Sequence, residues 1–131
     1  MFGLDRLVSD LQVLGYDRVE RMTGNSGTTF AVIRGYLVPV GRFSGRVIDL
    51  AIPAPADYPK TFGSSIHVRA NPQLLECGSV ANVRNITTSE LGGEWRYWSK
   101  NFNGSRGTRE RDTRRLLSQI NEVFLNEYAV A

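Results

Sequence analysis

Cysteine and histidine are scarce in this sequence, since Cys77 and His67 are each the one residue of their type. A lone cysteine cannot form an internal disulfide, and this pair cannot supply the cysteine-rich or histidine-rich ligand sets of common zinc sites. The sequence predicts neither a metal site nor a cofactor. No apolar run approaches the roughly 20 residues that span a bilayer. Because Asp5 and Asp10 interrupt the apolar pattern of residues 1–15, unlike a signal peptide, we expect a cytoplasmic protein with no membrane partner.

Acidic residues are scarce in one segment near the C-terminus, although the net charge of the chain is only +3. Between positions 96 and 115, only Glu110 and Asp112 oppose seven basic residues. Those seven are Arg96, Lys100, Arg106, Arg109, Arg111, Arg114 and Arg115. One interpretation is a docking patch for an acidic protein or nucleic acid, and the other is the solvated start of a helix. Nucleic acid is the less favoured partner, because no recognised binding motif is present and aromatic residues do not alternate with basic ones.

Apolar residues at three-four spacing predict a helix near each end of what we expect to be a single domain covering residues 1–131. The first helix ends before Gly15, which can adopt a left-handed conformation. The second covers positions 110–128, with Thr108 or Asp112 as its N-cap. The two apolar stripes are Leu4, Leu7, Val8, Leu11 and Leu14, and Leu116, Ile120, Val123, Phe124 and Tyr128.

Four strands are predicted between these helices from β-branched and aromatic segments bounded by turn residues. The segments are 19–22, 28–40, 46–52 and 66–69. Short turns between them favour an antiparallel meander. No strand pattern is evident between positions 71 and 105, and so long an irregular connection is often functional.

The fold class predicted is therefore α+β. An N-terminal helix and a four-stranded antiparallel meander sheet are followed by a long irregular, active-site-like segment and a C-terminal helix. The predicted core consists of Leu7, Leu11, Phe30, Val32, Val47, Leu50, Ile66, Leu117, Ile120 and Phe124.

Two local motifs carry a resemblance to a known family. GRFSGRVIDLAIPAPADYP has a glycine-rich turn, a strand, and a corner where Pro53 and Pro55 prevent strand continuation before Tyr58-Pro59. GGEWRYWSKNF contains Trp95, Trp98 and Ser99 in a Trp-x-x-Trp-Ser pattern. With this element order, the chain resembles the ubiquitin-conjugating-enzyme superfamily, and in particular its bacterial branch. We expect a reduced version of that fold, because nothing here corresponds to the two final helices of the classical enzymes.

The resemblance implies a nucleophile that accepts the tail of a ubiquitin-like protein, but no cysteine stands at the usual place. Ser89 occupies the corresponding position, with Asn82 seven residues before it as the oxyanion donor and Trp98 nine residues after. The other interpretation of Ser89 is a polar cap of its loop. Cys77 is the alternative nucleophile, although its spacing to the neighbouring motifs fits less well. A serine needs a base to remove its proton, and either the adjacent Glu90 or a partner protein could supply it. His67 is expected to be structural, because no serine or aspartate stands at a spacing that suggests a triad.

The resemblance also implies partners, namely a ubiquitin-like protein and an activating-enzyme-like protein. The expected contacts are Arg6 and Asp10 on the first helix, the basic residues Arg106, Arg109, Arg111 and Arg115, and the aromatic residues Trp95 and Trp98. The tryptophans have a second interpretation as buried anchors of the segment that contains them. Three functions stay open: a carrier for a ubiquitin-like protein, a catalytically inactive scaffold that binds the same partners, and a basic nucleic-acid-binding domain.

Overall fold

The computed structural model describes residues 1–80, 84–102 and 112–127. Within these ranges the chain forms two helices and seven strands. In chain order they are α1 (Gly3–Val13), β1 (Val19–Thr23), β2 (Thr29–Leu37), β3 (Val47–Pro53), β4 (Ile66–Arg69), β5 (Gly78–Val80), β6 (Arg84–Ser89), β7 (Gly92–Trp98) and α2 (Thr113–Glu127).

The described strands form one antiparallel sheet in the order β1-β2-β3-β4-β7-β6-β5. The predicted α+β class and the meander of the first four strands are confirmed. The prediction of four strands followed by an irregular segment is wrong, because β5, β6 and β7 lie in that segment and β7 pairs with β4. Thr87 and Thr88 of β6 are exposed, so the strand lacks the apolar alternation by which a strand is recognised.

Both helices pack against one face of the sheet, where the main hydrophobic core lies. Leu7 and Leu11 of α1 and Ile120 and Phe124 of α2 are fully buried in this core. A smaller cluster on the opposite face contains Phe30, Val32, Ala51 and Trp95. The side chains of β4 divide between the two faces, and this division positions the site described below.

The predicted core is confirmed at nine of its ten positions, which are at most 8% exposed. Val47 is the exception at 61% exposed. Because side chains alternate along a strand, Val47 and Leu50, three residues apart on β3, face opposite sides of the sheet. Leu50 is in the main core, so Val47 cannot share its environment.

Asp112 is the N-cap of α2, one of the two residues that the sequence offered for this role. Its Oδ1 accepts a hydrogen bond from the backbone N–H of Arg115 at 2.8 Å. This bond satisfies one of the amide groups that a helix leaves unpaired in its first turn.

Candidate functional site

Ser89 lies at the end of β6, where the chain turns into β7. Ser89 pairs with Gly92, so Glu90 and Leu91 form the turn between the two strands. The backbone N–H of Leu91 donates a hydrogen bond to Ser89 Oγ at 3.0 Å. The serine side chain is half-buried, and its oxygen is held in place by the turn that follows it.

His67 faces Ser89 from β4, the middle strand of the described sheet. Ile66 and Val68 lie in the main core, and His67 points to the opposite face. There its Nδ1 lies 2.6 Å from Ser89 Oγ, and the side chain is 4% exposed. Sequence reasoning missed this pair, because the two residues are brought together by strand order and not by spacing along the chain.

Burial determines the protonation state of His67. Desolvation lowers its pKa to about 4, and the nearby negative charge of Glu90 only partly opposes this effect. The imidazole is therefore neutral near pH 7, when one ring nitrogen is a donor and the other an acceptor. In the tautomer with Nε2 protonated, Nδ1 accepts the hydrogen bond that the Ser89 hydroxyl donates.

Glu90 joins the β6–β7 turn to the β1–β2 turn. One oxygen of its carboxylate accepts hydrogen bonds from the backbone N–H of Ser26 at 3.0 Å and from its hydroxyl at 2.7 Å. These bonds favour the ionised form and lower the pKa of Glu90. A Cβ at Gly24 would lie 1.9 Å from the Glu90 carboxylate, so glycine leaves room for this approach. The turn that follows Ser89 is therefore anchored to the β1–β2 turn through Glu90.

A cavity of about 600 Å³ opens beside the pair. Its lining includes His67, Glu90, Tyr97 and Phe30, together with small residues from the neighbouring loops, so the cavity reaches the pair from the side of His67. Leu91 packs against the smaller hydrophobic cluster next to this site. The arrangement offers a hydroxyl next to a neutral imidazole, with room for a substrate close by.

The other candidate nucleophile, Cys77, is exposed and lies directly before β5. Asn82, the predicted oxyanion donor, lies outside the described residues. The Leu91 N–H donates to the oxygen of Ser89 itself, so it positions this hydroxyl and is not an oxyanion donor.

Asp10 connects α1 to α2. It forms an ion pair with Arg6 at 2.9 Å, and its Oδ2 accepts a hydrogen bond from the Thr113 hydroxyl at 2.7 Å. The buried Thr113 hydroxyl is also 2.5 Å from the hydroxyl of Tyr58. In this structure Asp10 thus stabilises the packing of the helices.

The remaining residues predicted to contact partners differ in their placement. Arg115 is exposed on the first turn of α2, whereas Arg106, Arg109 and Arg111 lie outside the described residues. Trp95 and Trp98 are 4% and 0% exposed. They lie three apart on one strand, so Trp98 packs in the main core and Trp95 in the cluster on the opposite face. Their burial supports the interpretation as anchors and leaves little surface for a partner.

A family model described as Prokaryotic E2 family E matches residues 8–126. The chain belongs to this family of ubiquitin-conjugating-enzyme-like proteins, which confirms the resemblance to the bacterial branch. Membership indicates a conjugating-enzyme-like role and, in general terms, contact with ubiquitin-like proteins and activating enzymes. Comparisons with curated proteins and with solved structures find no match. Neither α1 nor α2, the helices within the described ranges, is long and apolar enough to cross a membrane.

Proposed function

We propose that the protein carries a ubiquitin-like protein in a bacterial ubiquitination-like pathway, as an oxyester on Ser89. The tail would arrive from an activating-enzyme-like partner and leave for an amine acceptor. The observation that carries the proposal is the 2.6 Å contact between Ser89 Oγ and the neutral His67, which itself lines an open cavity. Family membership supplies the class of reaction, and this contact favours one residue over the other candidate.

Ser89 is a better candidate than Cys77 for two reasons. A serine hydroxyl is a weak nucleophile unless an adjacent group removes its proton, and Ser89 has such a group in contact. Its oxygen is also fixed by the Leu91 N–H, which reduces the entropy lost when an acyl donor docks. The exposed Cys77 has the more nucleophilic side chain, so both residues have to be tested directly.

The test is reconstitution with ATP, an activating-enzyme-like protein and a ubiquitin-like protein. We expect a covalent adduct that survives thiol reductant and is cleaved by mild base. Ser89→Ala should abolish it, and Ser89→Cys should make it sensitive to reductant. The matched control, Cys77→Ala, should leave the adduct unchanged.

Two outcomes would replace this proposal with another function. An adduct that survives Ser89→Ala and disappears with Cys77→Ala would make Cys77 the nucleophile. No adduct under any condition, with both partners still bound, would instead support a catalytically inactive scaffold.

A further inference from the structure

We propose that His67 and Ser89 form a catalytic dyad, in which Nδ1 of His67 takes the proton of the Ser89 hydroxyl as the acyl group transfers. The inference rests on the proposed function for the identity of the acyl donor. The reactivity of the pair itself, however, can be measured without that donor. Two groups that the sequence places far apart would thereby form one reactive centre.

The imidazole of His67 is held in a fixed orientation. Its backbone pairs with Ala51 on β3 and Tyr97 on β7, in the middle of the described sheet. The ring meets Phe30 and Tyr97 edge-on, with centroid distances of 4.8 Å and 5.3 Å. A base on a rigid strand and packed between two rings keeps its distance to the nucleophile, as proton transfer requires.

Ser89 is fixed from its own side of the contact. Its turn is anchored through Glu90 to Ser26, and its oxygen receives the Leu91 N–H. The Glu90 carboxylate is thus committed to Ser26, so the pair is a dyad and not a triad with Glu90 as the orienting carboxylate. Packing between Phe30 and Tyr97 orients the imidazole in place of a carboxylate, whereas burial disfavours the imidazolium that a carboxylate would stabilise.

Acylation can then be written with all atoms balanced. Ser89 Oγ attacks the carbonyl of a thioester donor, the Oγ–H bond breaks, and the proton moves to His67 Nδ1. The Oγ–C bond forms, the C–S bond breaks, and the departing thiolate takes the proton from the imidazolium. The site returns to a neutral histidine next to a serine ester.

Transfer to the acceptor uses the same two side chains, with an amine as the attacking group. An amine attacks the ester carbonyl and its N–H proton moves to Nδ1, while the new C–N bond forms. As the C–Oγ bond breaks, the proton returns from His67 to Ser89 Oγ. The dyad therefore supplies the base that a serine carrier needs in both half-reactions.

The competing explanation is that the 2.6 Å contact only stabilises the turn. We therefore propose labelling of the full-length protein with phenylmethylsulfonyl fluoride, followed by intact mass and peptide mapping, in a Cys77→Ala background. Ser89 Oγ would bond to the sulfonyl sulfur, and fluoride would leave with the proton. We expect modification of Ser89 that is lost in Ser89→Ala and preserved in Ser44→Ala, an exposed serine in the β2–β3 connection.

The decisive variant is His67→Asn, whose amide can keep a hydrogen bond to Ser89 without acting as a base. Its labelling rate should fall about 100-fold, at the low end of the range for general bases, because an imidazole with a pKa lowered to about 4 is a weak base near pH 7. In His67→Ala, added imidazole should restore part of the rate, which a purely structural residue would not allow. The folded state of each variant is verified by its melting temperature and circular dichroism.

The outcomes separate the dyad from the proposed function. Equal labelling of wild type and folded His67→Asn, or no labelling of Ser89 in wild type, would overturn the dyad. Labelling that depends on His67, without an adduct in the reconstituted system, would uphold the dyad and overturn the proposed function. An adduct that forms equally fast in His67→Asn would support the carrier function and would show that His67 is not its general base.

Discussion

The carboxylate of Glu90 accepts two hydrogen bonds from Ser26, one from the backbone N–H and one from the hydroxyl. This contact fixes the β6–β7 turn against the β1–β2 turn. Because the bonds are exposed, we expect Glu90→Ala to cost no more than about 1 kcal/mol in the free energy of unfolding.

The same substitution should slow sulfonylation of Ser89, because a looser turn holds its hydroxyl less often against His67. Mass spectrometry gives the labelling rate, and denaturant unfolding gives the stability. Glu122→Ala, which removes an exposed carboxylate from α2, is the control for charge. A labelling rate unchanged by Glu90→Ala would mean that Ser26 does not position the nucleophile.

Protein stability should depend on pH through His67. Because burial lowers its pKa from 6.5 to about 4, the unfolded chain gains a proton at a higher pH than the folded protein does. The contribution of this group is complete above pH 6.5 and is lost as pH falls to about 4, with a total of about 3 kcal/mol.

Urea unfolding of wild type and His67→Asn across this pH range measures the effect. The difference between the two curves isolates the histidine, since the carboxylates that also titrate are shared. Parallel curves between pH 6.5 and 4 would show that His67 is not held neutral by burial.

Replacing the Phe124 side chain of α2 by alanine should strongly destabilise the protein. Phe124 is 0% exposed and its ring lies 5.5 Å from that of Trp98. We expect Phe124→Ala to cost about 3–5 kcal/mol, because it removes buried surface and leaves a cavity. Its neighbour Leu125 is 41% exposed, so Leu125→Ala is a matched control with a much smaller cost. Equal costs in chemical unfolding would mean that the helix register is wrong.

The basic segment should accelerate association with the activating-enzyme-like partner. Reversing the charge of Arg109, Arg111 and Arg115 together should lower the association rate most at low salt, because salt screens attraction between exposed charges. Stopped-flow binding at several ionic strengths measures this rate. Reversal of the exposed Arg18, outside the segment, is the control. An association rate independent of both the substitutions and salt would identify the segment as a solvated surface.

Local patterns in the sequence were enough to predict both helices and the first four strands, and to offer Asp112 as one of two candidate caps of α2. Each depends on contacts within one element, such as the spacing of Leu7 and Leu11 or the bond from Asp112 to its own helix. The strands β5 to β7 were missed, because β6 carries the exposed Thr87 and Thr88 and because β7, through which all three strands join the sheet, pairs with the distant β4. Hydrogen bonding between strands that are remote in sequence produces no periodic pattern from which the pairing could be predicted.

The candidate site, like the fold, was predicted from the sequence only in part. The sequence by itself determined the family, through motifs around Tyr58 and Trp95, and it predicted Ser89 and Cys77 as the two candidate nucleophiles. Only the tertiary structure decided that His67 is the neighbour of Ser89. The insertion of β7 between β4 and β6 and the folding of the turn toward the second face bring the two side chains to 2.6 Å, and burial in the sheet keeps the imidazole neutral. Distance and desolvation are properties of packing, so no spacing along the chain encodes them.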